Sequence, residues 1–306
     1  MPVDVLAAER FVHESARLLD RHRVASLLHG EPADAALLAL SAYRNADGGF
    51  GHALEPDVRG PESETTSTLQ ALEVLAELRR LDDAMLTGAA AWIAEVADAD
   101  GGVPFVLAST AAHPHAPWMV PSAGGSQITF ALLARLYEAS PAGGPMLVAG
   151  AVGDWRARAE EWCWERLSRP RDLSGYAVRF ALDFLDHTPA EGRAAAALET
   201  IRPRLAPDGS IAVAGGTEDE RLTALALSPR PGARSRALFA DGQIGEQLDL
   251  LEGAQQADGG WTFDWLAWSP AQAVEWRGAV TLRALATLAA HRRIGPFPAR
   301  ERVPGN

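Results

Sequence analysis

Glu55 and Asp57 stand two residues apart in the segment Phe50-Gly51-His52-Ala53-Leu54-Glu55-Pro56-Asp57-Val58-Arg59-Gly60-Pro61. Proline forces the residue before it into extended backbone. Alternate side chains of extended chain share a face, so the two carboxylates can point the same way. Two carboxylates in one site cannot both ionise cheaply, and one that keeps its proton near neutrality is a general acid. Arg59 could hold the partner ionised, and His52 could relay a proton. The same residues also allow a plainer arrangement, an Asp57–Arg59 ion pair clamping the loop with Glu55 in solvent.

A second segment runs from Trp261 through Phe263, Asp264, Trp265 and Trp268 to Glu275-Trp276, placing four of the nine tryptophans within sixteen residues. Trp265, Trp268 and Trp276 exceed what one helix end needs. Aromatic faces stabilise a cation by roughly 0.5–2 kcal/mol each, and they stack equally well on a sugar ring. Asp264, between two aromatics, is the reserve acid, and Phe263 and Glu275 belong to the same wall. A third segment holds His113, His115 and Trp118. Two histidines at i and i+2 can bind a metal, but no third ligand follows at a suitable spacing. No metal site is expected, and a solvated loop edge is the reading of the pair.

These segments need helices to hold them. Asp47-Gly48-Gly49, Asp100-Gly101-Gly102 and Asp258-Gly259-Gly260 repeat one turn, with a weaker copy at Asp208-Gly209-Ser210. Glycine takes the positive φ that ends a helix, and Asp can bond nearby amides. Apolar residues recur at helical spacing on both sides, as in Leu69, Leu72, Leu75 and Leu78. Expected helix pairs flank the turns, at about 84–96 and 126–138, 155–168 and 174–187, 193–205 and 218–227, and 245–256 and 276–291. Another pair surrounds Asp47, and a long N-terminal helix at about 4–28 is left over. A repeat near fifty residues with two helices per unit fits an array of stacked helical hairpins. The long loops leaving the turns, at about 50–62, 103–125 and 261–275, are then expected to share one mouth.

Composition removes several functions. The chain has 306 residues, a net charge of −12, a single cysteine and no lysine. Its charge gives no affinity for nucleic acid or an anionic membrane. The missing lysine excludes Schiff-base chemistry and a phosphate-loop lysine, and one cysteine, Cys163, excludes a disulfide framework. No apolar leader is visible, and no run approaches the roughly 18 apolar residues of a membrane span. A cytoplasmic location is expected.

Gln255, Gly259 and Trp261 match the QW motif of the squalene–hopene and oxidosqualene cyclases. The segment from Arg44 to Phe50 resembles a worn copy. The hairpin layout is similar to the α/α-toroid that those terpene cyclases share with protein prenyltransferase β subunits. The resemblance implies an all-α, single-domain (α/α) toroid of five to six hairpins: an N-terminal helix at 4–28, repeats over 33–291 and a tail at 292–306. It also implies a hydrophobic isoprenoid partner and no cofactor, with Mg²⁺ only if the substrate is a diphosphate. Glu55 or Asp57 would be the acid, with Asp264 in reserve and His52 assisting. Phe50, Arg59, Trp118, Phe263, Trp265, Trp268, Glu275 and Trp276 would meet the substrate. The chain departs from the family in lacking D-x-D-D, the proton-donating motif. Asp98-Ala99-Asp100-Gly101 is the nearest string, and Asp183 and Asp186 only partly resemble the magnesium-binding D-D-x-x-D. A glycan-active enzyme on a similar barrel, or a toroid that binds without catalysing, therefore stay open.

Overall fold

The computed structural model describes residues 2–81, 83–139, 149–213 and 220–295. Among the described residues, twelve α-helices follow one another along the sequence as six consecutive pairs: α1 (Val5–Ser15) with α2 (Leu18–His29), α3 (Asp34–Ser41) with α4 (Thr65–Glu77), α5 (Ala84–Val96) with α6 (Ile128–Ala139), α7 (Gly150–Leu167) with α8 (Gly175–His187), α9 (Glu191–Ile201) with α10 (Ala224–Leu227), and α11 (Asp241–Gly253) with α12 (Pro270–Ala290). The fold class is the expected one, all-α helical hairpins of the α/α-toroid type. No helix among the described residues is long and apolar enough to cross a membrane.

Two compact units divide the chain. The smaller is made from both ends, residues 1–42 and 248–306, and the larger is 43–247. In the larger unit the second helices of successive pairs lie side by side, α4 on α6, α6 on α8 and α8 on α10, with α5 and α7 packed against that layer. Helix α6 is buried over nearly its whole length, as a helix between two layers must be. In the smaller unit α12 packs on α1 and α2.

The repeated turn is one structure built four times. In each copy the Asp carboxylate accepts the amide two residues on: Gly49 from Asp47 at 3.0 Å, Gly102 from Asp100 at 2.9 Å, Ser210 from Asp208 at 2.9 Å and Gly260 from Asp258 at 3.1 Å. The middle glycine takes positive φ, +92° at Gly259. It also lies against a neighbouring helix, since a Cβ on Gly259 would come within 2.3 Å of the Ala7 carbonyl of α1. The residue that follows the three-residue turn points inward, and Phe50 and Trp261 are almost fully buried. Its amide is then satisfied by a threonine of the following helix: Phe50 by Thr68 at 3.1 Å, Val103 by Thr129 at 2.8 Å and Trp261 by Thr281 at 2.9 Å. In the fourth copy a short antiparallel ladder takes over, with Ile211 opposite Leu222. That ladder is a strand pair the sequence gives no sign of. Of the expected helix at 218–227, residues 218 and 219 lie outside the described residues, and the helical part is only Ala224–Leu227. Within the expected tail, residues 296–306 also lie outside them.

The expected helix at 4–28 is two helices. Ala16 and Arg17 are extended, with ψ of 166° and 155°. No glycine or proline marks the break. It is set by packing, because Ala16 lies so close to Gly278 of α12 that a Cβ on that glycine would come within 2.8 Å of the Ala16 Cβ. The break supplies the sixth pair.

Candidate functional site

In the larger unit, the loops after the first two glycine turns are sewn together. The Arg59 amide donates to the Pro114 carbonyl at 3.0 Å and the Ala116 amide to the Asp57 carbonyl at 2.8 Å, around an antiparallel bridge between Val58 and His115. His113 meets Glu62 at 2.9 Å, and His115 bonds the His113 carbonyl at 2.7 Å. Both histidines thus serve the seam. Glu64, at the N-terminus of α4, is only 2% exposed. Its carboxylate accepts the Leu107 amide, the Thr110 hydroxyl at 3.0 Å and the Thr65 amide at 3.1 Å. Burial pushes its pKa up, and these three donors oppose the rise.

The seam holds Glu55 and Asp57 inside, 6% and 3% exposed. The Glu55 amide donates to Ser67 Oγ at 3.2 Å. Its carboxylate accepts Gln70 Nε2 at 2.6 Å and the Asp57 amide at 3.3 Å. Asp57 Oδ2 accepts the Trp118 indole N–H at 3.3 Å. The arrangement with Glu55 in solvent is therefore not the one adopted. His52 is exposed, and its ring bonds Asn45 Oδ1 at 2.9 Å, which places it on a surface turn rather than in the acid pair's hydrogen-bond chain. His52 and Ala53 both have left-handed backbone, with φ of 54° and 61°. Such geometry costs a non-glycine residue about 1–2 kcal/mol. Phe50 is fully buried as the plug of its turn. Ser67, Gln70 and Glu64 complete the site and were not anticipated. Their spacing on α4 reads as an ordinary helix start.

Gln70 and Glu73 share a face of α4 at i and i+3. Beyond Gln70 the wall becomes charged. Arg135 of α6, only 6% exposed, bonds both oxygens of Asp183 of α8, at 2.7 and 2.8 Å, and also bonds Glu138. Arg230 reaches Asp183 at 2.8 Å. Burial acts to raise the Asp183 pKa, but Arg135, His187 and Arg230 outweigh it and hold it below the usual range. A cavity of about 170 Å³ is lined by Glu73, Arg135, Arg179, Asp183 and Arg230, among others. Asp186 instead accepts the Ser235 amide at 2.7 Å and hydroxyl at 2.8 Å, so the two aspartates face different partners.

In the smaller unit, Phe263 stacks on Trp265 at 4.6 Å between ring centres, and Trp265 meets Trp276 edge-on at 5.2 Å. Trp276 is buried, while Trp268 and Glu275 are half-buried. Asp264 is exposed and not enclosed by its aromatic neighbours. The expected site residues thus form two groups, one in each unit.

No protein-family model matches the sequence. No curated protein matches it either. Solved structures do. A variant of the type II terpene cyclase MstE from Scytonema, in complex with its substrate geranylgeranyl dihydroxybenzoate, is 14% identical with a TM-score of 0.56, over 95% of this chain and 97% of that one. A second variant, in complex with the product merosterolic acid A, gives 14% and 0.54 over 95% and 96%. A protein from Actinoplanes is 17% identical with a TM-score of 0.52, over 94% of this chain and all of its own. The likeness runs nearly end to end, and at these identities what it shows is a common fold.

Proposed function

We propose that this chain is a terpene cyclase-like enzyme that transforms an isoprenoid by protonation-initiated carbocation chemistry. The observation that carries the reading is the buried pair, Glu55 and Asp57, fixed on one loop and donated to by Gln70 and Trp118. An acid kept out of water can give its proton to an alkene instead of exchanging it with solvent. Mg²⁺ would enter only with a diphosphate substrate. The fold shared with a cyclase that binds a geranylgeranyl compound agrees with the reading.

The charged cavity beside Arg135, Arg179 and Arg230 favours a second reading, a glycan-active enzyme or another enzyme for polar substrates. Incubation with geranylgeranyl, farnesyl and squalene-type substrates, followed by mass spectrometry of the extracts, separates the two. A cyclised product supports the first. No product from any of them, together with release of reducing sugar from a glycan panel, would overturn it in favour of the second.

A further inference from the structure

The cavity of about 170 Å³ carries six charged side chains, Arg135, Arg179 and Arg230 against Glu73, Asp183 and Asp186. Four of the six are used within the wall. Arg135 and Arg230 both bond Asp183, and Asp186 takes the Ser235 amide and hydroxyl. The other two are Arg179 of α8 and Glu73 of α4. Both are half-buried, and neither makes a hydrogen bond or ion pair among the described residues. Arg179 has only the Phe180 ring, 5.7 Å from its guanidinium. Glu73 acts on Arg135 through space, but Arg135 gives its hydrogen bonds to Asp183 and Glu138. Helix α6 packs between α4 and α8, so the spare cation and the spare carboxylate stand on either side of it.

A charge drawn partly out of water is costly until an opposite charge meets it. One unmatched group of each sign on a single cavity therefore suits a ligand that also carries one of each. An anion alone would answer Arg179 and leave Glu73 repelling it, and a cation alone would do the reverse. The rest of the wall is apolar, made by Phe180, Ala226, Leu227 and Pro229. Such a wall gains from an apolar group laid against it. A cavity of about 150 Å³ holds one benzene-sized molecule, so this one is matched to a single small ligand. Zwitterionic head, short apolar remainder and small size together describe a free amino acid with an apolar side chain.

We propose that this cavity binds a free amino acid with an apolar side chain, its carboxylate on Arg179 and its ammonium on Glu73. The site uses neither Glu55 nor Asp57, so it stands whether or not the acid pair protonates an alkene. The test is isothermal titration calorimetry of the full chain with L-valine, L-leucine and L-methionine at constant ionic strength. Each is compared with its decarboxylated amine and its deaminated acid, which keep the side chain and lose one charge. Saturable binding of at least one amino acid is expected, with both one-charge counterparts weaker by about tenfold or more, the size of one charge-assisted hydrogen bond. Arg179→Gln and Glu73→Gln should each weaken the amino acid by a similar factor. Neither side chain holds another residue in place, so both variants should melt with the wild type and remain testable. No saturable binding of any of the three, a one-charge counterpart that binds as tightly as its amino acid, or unchanged affinity in either variant overturns the proposal.

Discussion

Asp4 and Gln255 are joined by a reciprocal pair of hydrogen bonds. The Asp4 amide donates to Gln255 Oε1 at 2.9 Å, and Gln255 Nε2 donates to the Asp4 carbonyl at 2.8 Å and to the Gly259 carbonyl at 2.9 Å. Asp4 in turn caps α1 by accepting the Ala7 amide at 2.9 Å. One glutamine thus fastens the last glycine turn to the start of the first helix.

Gln255→Ala is therefore expected to destabilise the protein by about 1–2 kcal/mol, the sum of small contributions from partly exposed hydrogen bonds. Urea unfolding followed by circular dichroism measures this. Gln255→Glu should cost as much or more, because a carboxylate cannot donate to the two carbonyls. A glutamate variant as stable as wild type would show that the bonds contribute nothing.

The threonines that receive the turn amides are a sharper case. Thr281 is fully buried, and its hydroxyl accepts the Trp261 amide at 2.9 Å. Thr281→Val keeps the volume and removes the acceptor, leaving a buried N–H without a partner. The expected loss is about 1–3 kcal/mol. Thr281→Ser, which restores a hydroxyl, should recover most of it.

The glycine turns and five of the six helix pairs were legible because their signals are local. An Asp followed by glycine bonds its own backbone wherever it occurs. The sixth pair was hidden because the break at Ala16 answers to Gly278, more than 250 residues away, and no local residue announces it. The same division runs through the site. Pro56 made the Glu55–Asp57 pair readable. Their burial was not, because it depends on residues 57–59 meeting 114–116 and on Gln70, whose place on α4 looks like a solvated position. Asp264 shows the opposite error: flanking aromatics in sequence did not enclose it in space.

Acid stability should depend on Asp20. It is fully buried between Arg17 at 2.8 Å and Arg23 at 2.9 Å. Burial acts to raise its pKa, but the two arginines outweigh this and hold it below 3.8, its ordinary value. A depressed folded pKa gives stability that is complete above the unfolded pKa and is lost as pH falls through the folded one. The loss therefore belongs below about pH 4. Asp20→Asn should cost about 3–5 kcal/mol at neutral pH, since it leaves two arginines without their buried partner. It should also flatten the acid limb of a plot of stability against pH. An unchanged acid limb would mean that other carboxylates govern acid unfolding.

Glu55 and Asp57 differ in what their amides would preserve. In Glu55→Gln, the one remaining oxygen can keep the short bond from Gln70 Nε2 but gives up the long one from the Asp57 amide, which falls on the other carboxylate oxygen. Asp57→Asn likewise keeps an oxygen for the Trp118 indole. Neither amide can deliver a proton. If Glu55 is the donor, Glu55→Gln should lower kcat by about 10²–10⁴-fold with little change in KM, the range for loss of a general acid, while Asp57→Asn falls less. If Asp57 is the donor the order reverses. Melting curves within a few degrees of wild type for both variants confine the effect to chemistry. Full turnover in both, on whichever isoprenoid gives product, would remove the pair from the mechanism and leave their burial as a means of closing the loop.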